Sequence, residues 1–414
     1  MKKFAFLLFV LLTAVQVLPA QQLTWQDVLK EAKQKNQELK KAQESLNQAQ
    51  YQLSIAYSNF MPQISASAST GRSGSDTTST KESYSMGVSG RLSLFSGMAD
   101  YSDLQSKKIA LEIEKVSYQR TYSDLVFNLK KSFINLLLAQ DSVELSGKIL
   151  ARRTQNYNLV KMKYESGTED NGSLLRVEAD KLQAEFDLRK AQRTLKKSAT
   201  DLQKNIGRED PSGPVSVSEE FSKVTTSTEE LNFKDLLKQT PEYTIARYTY
   251  EKSSYDLKSA KSALYPSLSA SAGLSQSGDS LPLDGSSWNA GLSLSYPLFS
   301  GGRDMYNLKI AGKSKIIAEN TFKQAELNLY AALESSWNDF INSIENAGVS
   351  EKYLEASAEQ SRITSEKYMN GLSTYNEWYS IENDYINSER SVLNARMNEI
   401  ISEAAWKNIL GFGE

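Results

Sequence analysis

Chemistry at a protein site needs groups that exchange protons, attack carbon or hold metals, and this chain is short of them. Its 414 residues contain no His and no Cys. That removes imidazole ligands, Ser-His-Asp triads, thiolate metal sites and the usual general base near neutral pH. Carboxylate chemistry remains, and the candidate pairs are Glu178 with Asp180 and Glu382 with Asp384. Each pair lies two residues apart on a helical stretch, where side chains do not face one another. The sequence therefore predicts solvated helix faces rather than catalytic dyads. Gly301-Gly302 is no phosphate loop, because no Lys-Ser/Thr follows it. With 48 Lys+Arg against 50 Asp+Glu, the net charge of −2 leaves no basic surplus for nucleic-acid phosphates. The expectation is a protein that is not an enzyme, with no catalytic residues, no cofactor, no metal and no nucleic-acid partner.

The elements that carry these residues are long and two-faced. Hydrophobic residues make up 40% and charged residues 24%, rather polar for one compact core of this size. At the start, Lys2 and Lys3 precede an apolar run from Phe4 to Val17, then Leu18-Pro19-Ala20. That is the pattern of a secretory signal peptide over residues 1–20, and the run is short for a spanning helix. No Cys follows it, so no lipid-anchor site of the lipoprotein kind is expected. Beyond it the chain is written twice. Ala56–Ala68, with Pro62, matches Ala260–Ala272, with Pro266, at an offset of 204. Leu94-Phe95-Ser96-Gly97 matches Leu298-Phe299-Ser300-Gly301, and Tyr164-x-x-Gly167 matches Tyr368-x-x-Gly371, at the same offset. The predicted organisation is a first repeat over 21–207, a linker over 208–230 and a second repeat over 231–414.

Each repeat opens on a helix. Leu39, Ala42, Leu46, Ala49, Leu53, Ala56 and Phe60 fall at alternating spacings of three and four, a heptad seam in which large and small residues alternate. After Pro62 and Pro266 the period becomes two. Tyr84, Met86, Val88, Leu92 and Leu94 alternate with polar or small residues, as do Trp288, Ala290, Leu292, Leu294 and Tyr296. That pattern predicts hairpins over 62–96 and 266–300, with polar loops at Gly71–Lys81 and Ser277–Ser287. Strands of about ten residues with one apolar and one polar face fit a transmembrane β-strand of about 9–11 residues. On that reading Tyr84, Val88, Leu92, Trp288, Leu292 and Leu294 face lipid, with Tyr84 and Trp288 in an interfacial girdle. Four strands are too few to close a barrel, so several chains must pool theirs. Long helices without Pro follow, from about Ala99 to Tyr164 and from about Arg303 to Tyr368. Each would reach roughly 95 Å, with Gly147, Gly312 and Gly348 as expected bends. Gly167 and Gly371 then turn the chain into return helices from about Ser173 and Thr374.

The duplicated Pro62 and Pro266 junctions, the two Leu-Phe-Ser-Gly junctions and the two Tyr-x-x-Gly turns together resemble the TolC-type outer-membrane efflux family. The resemblance covers about residues 21–411. It implies a mainly α fold with membrane β structure: tandem-duplicated helical hairpins forming a trimeric α-barrel tunnel, and four strands per chain lent to one shared 12-stranded barrel. It implies an outer-membrane location with most of the chain in the periplasm. The partners implied are two further copies in a homotrimer, outer-membrane lipid, a periplasmic adaptor protein and an inner-membrane pump of the RND or ABC type. The function implied is passive conduction in tripartite efflux or type I secretion. The resemblance places Gly167, Gly371, Tyr164 and Tyr368 at the periplasmic tips where adaptors dock. It places Glu377 and Ser380 at the positions of two acidic rings, of which one is kept. Ser373 stands where the family has an Arg. On residues alone, Glu377 reads equally well as a carboxylate favouring a helix N-terminus. Two other readings compete: a periplasmic adaptor-like coiled-coil protein without a barrel, which leaves the duplicated strands unexplained, and a carboxylate hydrolase, for which no pocket signature is found.

Overall fold

A computed structural model describes residues 21–75, 78–218 and 231–413. The expected signal peptide and residues 219–230 of the expected linker lie outside the described residues. The elements run β1 (Gln21–Leu23), α1 (Trp25–Lys35), α2 (Gln37–Ser58), β2 (Gln63–Ser75), β3 (Thr78–Phe95), α3 (Ala99–Glu165), α4 (Asn171–Ile206) and β4 (Val215–Val217). Then come α5 (Phe233–Leu237), α6 (Pro241–Ser262), β5 (Ser267–Gly278), β6 (Gly285–Ser295), α7 (Arg303–Met369) and α8 (Tyr375–Ile409). Helix, hairpin, long helix, turn and return helix thus occur twice in the order the repeats predict. Both α3 and α7 have 67 residues and run unbroken through Gly147, Gly312 and Gly348. No helix of the described residues is long and apolar enough to cross a membrane.

The chain divides into two compact units. The first comprises Met1–Lys35, Leu129–Lys223 and Ala347–Met397, so far as these are described. Here Thr24 and Asp27 cap α1 reciprocally: Asp27 Oδ2 accepts from the Thr24 N–H at 3.2 Å, and Thr24 Oγ1 accepts from the Asp27 N–H at 3.3 Å. Trp25 meets the buried Phe133 edge-on, with ring centroids 5.9 Å apart. β1 pairs in parallel with β4, from Gln21 opposite Val215 to Leu23 opposite Val217. Gln140 pins that pair from α3: its amide donates to the Val217 carbonyl and accepts from the Val217 N–H, both at 2.9 Å. Arg208 clamps Glu31 through two nitrogens at 2.9 and 2.7 Å. Those charge-assisted bonds outweigh the cost of burial and hold the Glu31 carboxyl down at about 2.

The second unit comprises Asn36–Asn128, Val224–Asn346 and Asn398–Glu414, again so far as described. Asn36 Oδ1 caps α2 by accepting from the Glu38 and Leu39 N–H groups, and Thr240 caps α6 ahead of Pro241. On α2 the predicted seam is the buried side, with Leu39, Ala49 and Ala56 inside. Leu237, Leu329, Leu333, Phe340 and Trp406 form a core, which Trp337 joins with its ring 5.2 Å from that of Trp406. A close approach requires glycine in the first of the two repeated Leu-Phe-Ser-Gly junctions, though not in the second, where a Cβ at Gly301 would meet nothing within 4 Å. Gly97 has φ +63°, and a Cβ there would lie 2.6 Å from the Ser262 carbonyl oxygen, so no larger residue fits.

The strands form one antiparallel sheet in the order β2-β3-β5-β6. They are 13, 18, 12 and 11 residues long rather than ten each. The first predicted loop is the main correction: Gly71 pairs with Ser83, Arg72 with Glu82 and Ser73 with Lys81 inside the ladder. Polar side chains signal exposure to water, but they do not interrupt backbone pairing. In the second hairpin Ser277 pairs with Gly285, so the predicted loop at Ser277–Ser287 shrinks to residues 279–284.

Candidate functional sites at the strand face and the hairpin tips

The ladder sorts the strand side chains into two faces. One rung aligns Ala66, Val88, Leu274 and Trp288; others align Ala68 with Met86, and Leu92 with Ala270 and Leu292. Leu268 pairs with Leu294. All these side chains fall on one side of the pleat. Val88, Leu274, Trp288, Leu292 and Leu294 are exposed at 51, 68, 77, 71 and 70%. Apolar surface this extensive and contiguous marks a face that meets something other than water. Tyr84 lies on the same side, opposite Thr70 and Gly278, and so stands two apolar rungs beyond Trp288 rather than on its rung. The opposite side is hydroxyl-rich. Ser65 bonds Ser89 at 3.0 Å, Ser69 bonds Ser85 at 2.8 Å and Ser275 bonds Ser287 at 2.8 Å. Neither β2 nor β6 has a second partner among the described residues, so both edges of the sheet are open.

The two tips share one backbone solution. Gly167 and Gly371 take φ values of +78° and +74°. Thr168 N–H reaches the Lys163 carbonyl and Gly167 N–H the Tyr164 carbonyl; Leu372 and Gly371 repeat this toward Lys367 and Tyr368. These are Schellman caps, whose left-handed residue is usually glycine. Asp170 then caps α4, its Oδ1 accepting from the Ser173 N–H at 2.8 Å. Thr374 caps α8 within a capping box: Glu377 Oε2 accepts from the Thr374 N–H at 3.2 Å and Thr374 Oγ1 from the Glu377 N–H at 3.3 Å.

The side chains at the tips break the repeat. Tyr164 is 41% exposed, while Tyr368 is 1% exposed. Tyr368 stacks on Trp378 with centroids 4.6 Å apart and planes 8° from parallel, and its hydroxyl donates to Glu169 at 3.0 Å. Burial first, then that carboxylate, pushes the Tyr368 phenol well above its usual range. The expectation that Tyr368 offers a docking surface is therefore corrected. Trp378 and Tyr375 fold over its ring, whereas the first repeat has Leu174 and Asn171 at those positions. Glu377 and Ser380 are both exposed. Ser373 donates to Glu377 Oε2 at 2.9 Å. That hydroxyl first, and the Thr374 N–H second, hold the Glu377 carboxyl below the usual range.

Sequence reasoning missed a polar cluster five residues further on. Glu382 is only 4% exposed. Its Oε1 accepts from Ser361, in a short bond, and from Ser365 at 3.2 Å; its Oε2 accepts from Asn156 at 3.4 Å, with Arg152 at 3.8 Å. Beside it Arg153 donates to Asn383 at 2.5 Å and pairs with Asp180 at 3.7 Å. The expectation of a solvated face holds for Glu178 and Asp384, which are exposed, and fails for Glu382. The signal was spacing: Trp378, Glu382 and Ile386 recur every fourth residue, and all three are buried. Among the described residues, no group of three or more acidic side chains is placed to hold a metal ion.

With this geometry in hand, comparison with known proteins is direct. Residues 28–208 and 233–412 both match the sequence profile of the outer membrane efflux protein family. The chain is 23% identical over 404 residues to the cation efflux system protein CusC of Escherichia coli O157:H7, covering 93% of this chain and 85% of that protein. It is 22% identical over 400 residues to the probable outer membrane lipoprotein SilC of Salmonella typhimurium, covering 92% and 84%. Among solved structures, the outer membrane protein VceC of Vibrio cholerae superposes with a TM-score of 0.84 at 18% identity, covering 94% of this chain and 96% of that one. The chain belongs to the outer membrane efflux protein family.

Proposed function

We propose that this outer-membrane protein is a passive duct in which three copies pool β2, β3, β5 and β6 into one 12-stranded barrel. The helical hairpins wall the periplasmic conduit, and the tips around Gly167, Tyr164 and Gly371 meet a periplasmic adaptor and an inner-membrane pump. The pump, proton-driven or ATP-driven, supplies the energy; the duct itself performs no chemistry. The observation that carries this reading is the two-faced sheet. It has one continuous exposed apolar face, one hydroxyl-lined face and two open edges. Open edges beside an apolar face are a liability in a lone soluble chain, and ring closure removes them. Four strands fall short of the eight of the smallest known single-chain barrels, and cyclic symmetry makes up the number. An adaptor-like coiled-coil protein would need the helices but has no use for the apolar strand face.

The exposed position of Glu377 supports its tripling into an acidic ring at the tip, with Ser380 adding no charge. Native mass spectrometry of the detergent-extracted protein tests the assembly. Three chains per particle, with stepwise conductance in planar bilayers, are expected. A stable, detergent-independent monomer overturns the duct.

A further inference from the structure

The hydroxyl-lined side of the sheet carries few charges for a surface that would face a water-filled lumen, and their sign is uniform. Gln63, Arg91, Ser271 and Gly291 share one rung of the ladder. Along that side, β5 and β6 contribute Ser, Gly and Asn, and neither strand contains a charged residue at all. Lys81 is the other cation on this side, opposite Ser73 at the far end of the first hairpin. Arg72 and Glu82 lie on the other side and pair with each other at 3.9 Å.

Arg91 is exposed, and its guanidinium has no ion pair or hydrogen bond among the described residues. Its neighbours on this side, Gln63, Ser271, Ser89 and Ser93, are all uncharged. A Cβ added at Gly291 would meet nothing within 4 Å, so the space beside the rung is open. The acidic groups in the first turns of α3 and α7, which follow this end of the sheet, are already engaged. Asp100 accepts from Ser93 Oγ at 3.1 Å, and Asp304 is buried and held by Arg303 at 3.2 Å and by Ser300. An unpaired guanidinium among neutral hydroxyls keeps its whole charge for whatever passes.

We propose that Arg91 sets the charge preference of the barrel lumen, three copies forming a basic ring that draws in small anions and solutes bearing a carboxylate, sulfonate or phosphate group. The inference rests on the duct reading, because it needs the hydroxyl-lined side to face the lumen. Symmetry triples the charge, and the water-filled lumen screens it by the Debye length, about 30 Å at 0.01 M salt against about 8 Å at physiological salt. The preference is therefore strongest at low ionic strength. Any acidic ring at Glu377 acts in series, so the effect is read as a difference between variants in one background.

The test uses full-length protein in planar bilayers. The chain has no Cys, so Arg91→Cys offers a single thiol to a membrane-impermeant methanethiosulfonate reagent. Arg91→Gln and Arg91→Glu are measured for chloride-to-potassium permeability under a salt gradient at low ionic strength. The expected result is that the reagent alters the current of Arg91→Cys, that Arg91→Gln lowers the permeability ratio about two- to fivefold, and that Arg91→Glu lowers it further. A reagent-sensitive Arg91→Cys channel with an unchanged ratio in Arg91→Gln and Arg91→Glu overturns the charge ring and leaves the duct standing. A conducting Arg91→Cys channel whose thiol stays unmodified overturns the assigned faces, and with them the duct reading itself.

Discussion

At the scale of single residues, two carboxylates on α8 do different work five positions apart. Glu382 is buried in a web of two seryl hydroxyls, one amide and one guanidinium. Truncating it leaves those donors without an acceptor, and a buried donor left unpaired costs more than its bond was worth. Glu382→Ala is expected to destabilise the protein by about 2–4 kcal/mol, read as a lowered midpoint of thermal or denaturant unfolding in detergent. Glu377 lies on the surface and closes the capping box. Its carboxyl sits below the usual 4.5, so its support for the start of α8 is complete above that value and fades as pH falls through the lowered one. If three copies ring the axis, Glu377→Gln lowers cation preference and weakens block by multivalent cations in planar bilayers. Asp384→Asn, exposed on the same helix, is the control and should leave both unchanged. Equal behaviour of the two variants returns Glu377 to a purely local role.

At the scale of elements, the strand faces were legible in the sequence and the strand ends were not. Alternation reports which side chains share a face, and the ladder aligns Leu292 with Ala270 as that alternation requires. The ends went astray because Gly71–Ser73 and Lys81–Ser83 are polar yet still paired through their backbones. Leu292→Arg is expected to cost about 2–4 kcal/mol where it meets the bilayer midplane, read as loss of trimer on detergent extraction. Ser293→Arg, on the hydroxyl-lined side, should assemble as the parent does. Equal loss in both variants contradicts the assigned faces. The tips show a different limit. Both Tyr-x-x-Gly turns were legible, because a Schellman cap is local and its glycine is written in the sequence. The opposite fates of Tyr164 and Tyr368 were not, because they depend on what the return helix places over each ring. Glu382 was missed for a third reason: a charged residue on a buried stripe looks solvated until its partners on α3 and α7 are known.

At the scale of the whole molecule, the duplication does not yield two independent halves. Val160 and Val177 from the first repeat pack with Tyr368 and Trp378 from the second, and Ile149 and Ala184 pack with Ile386. In the sheet, β3 of the first repeat pairs with β5 of the second along most of its length. Each repeat alone would expose one side of every such contact. Residues 21–207 expressed alone, or 231–413 expressed alone, are therefore expected to be degraded under limited proteolysis. Co-expressed, the two pieces should yield protected fragments that purify together. Protection of either piece by itself would show that a repeat is a self-sufficient folding unit.

The parallel pairing of β1 with β4 has a consequence in time. Gln21 lies opposite Val215, so the pair closes a loop of about 190 residues, whose entropic cost grows only slowly with length. The delay is what matters. A chain delivered from its N-terminus must hold β1 unpaired until the whole first repeat has arrived. Until then its exposed backbone donors and acceptors are open to any neighbouring strand. The segment ahead of the first repeat thus waits until that repeat is complete, and during that interval the chain depends on being shielded from its own copies.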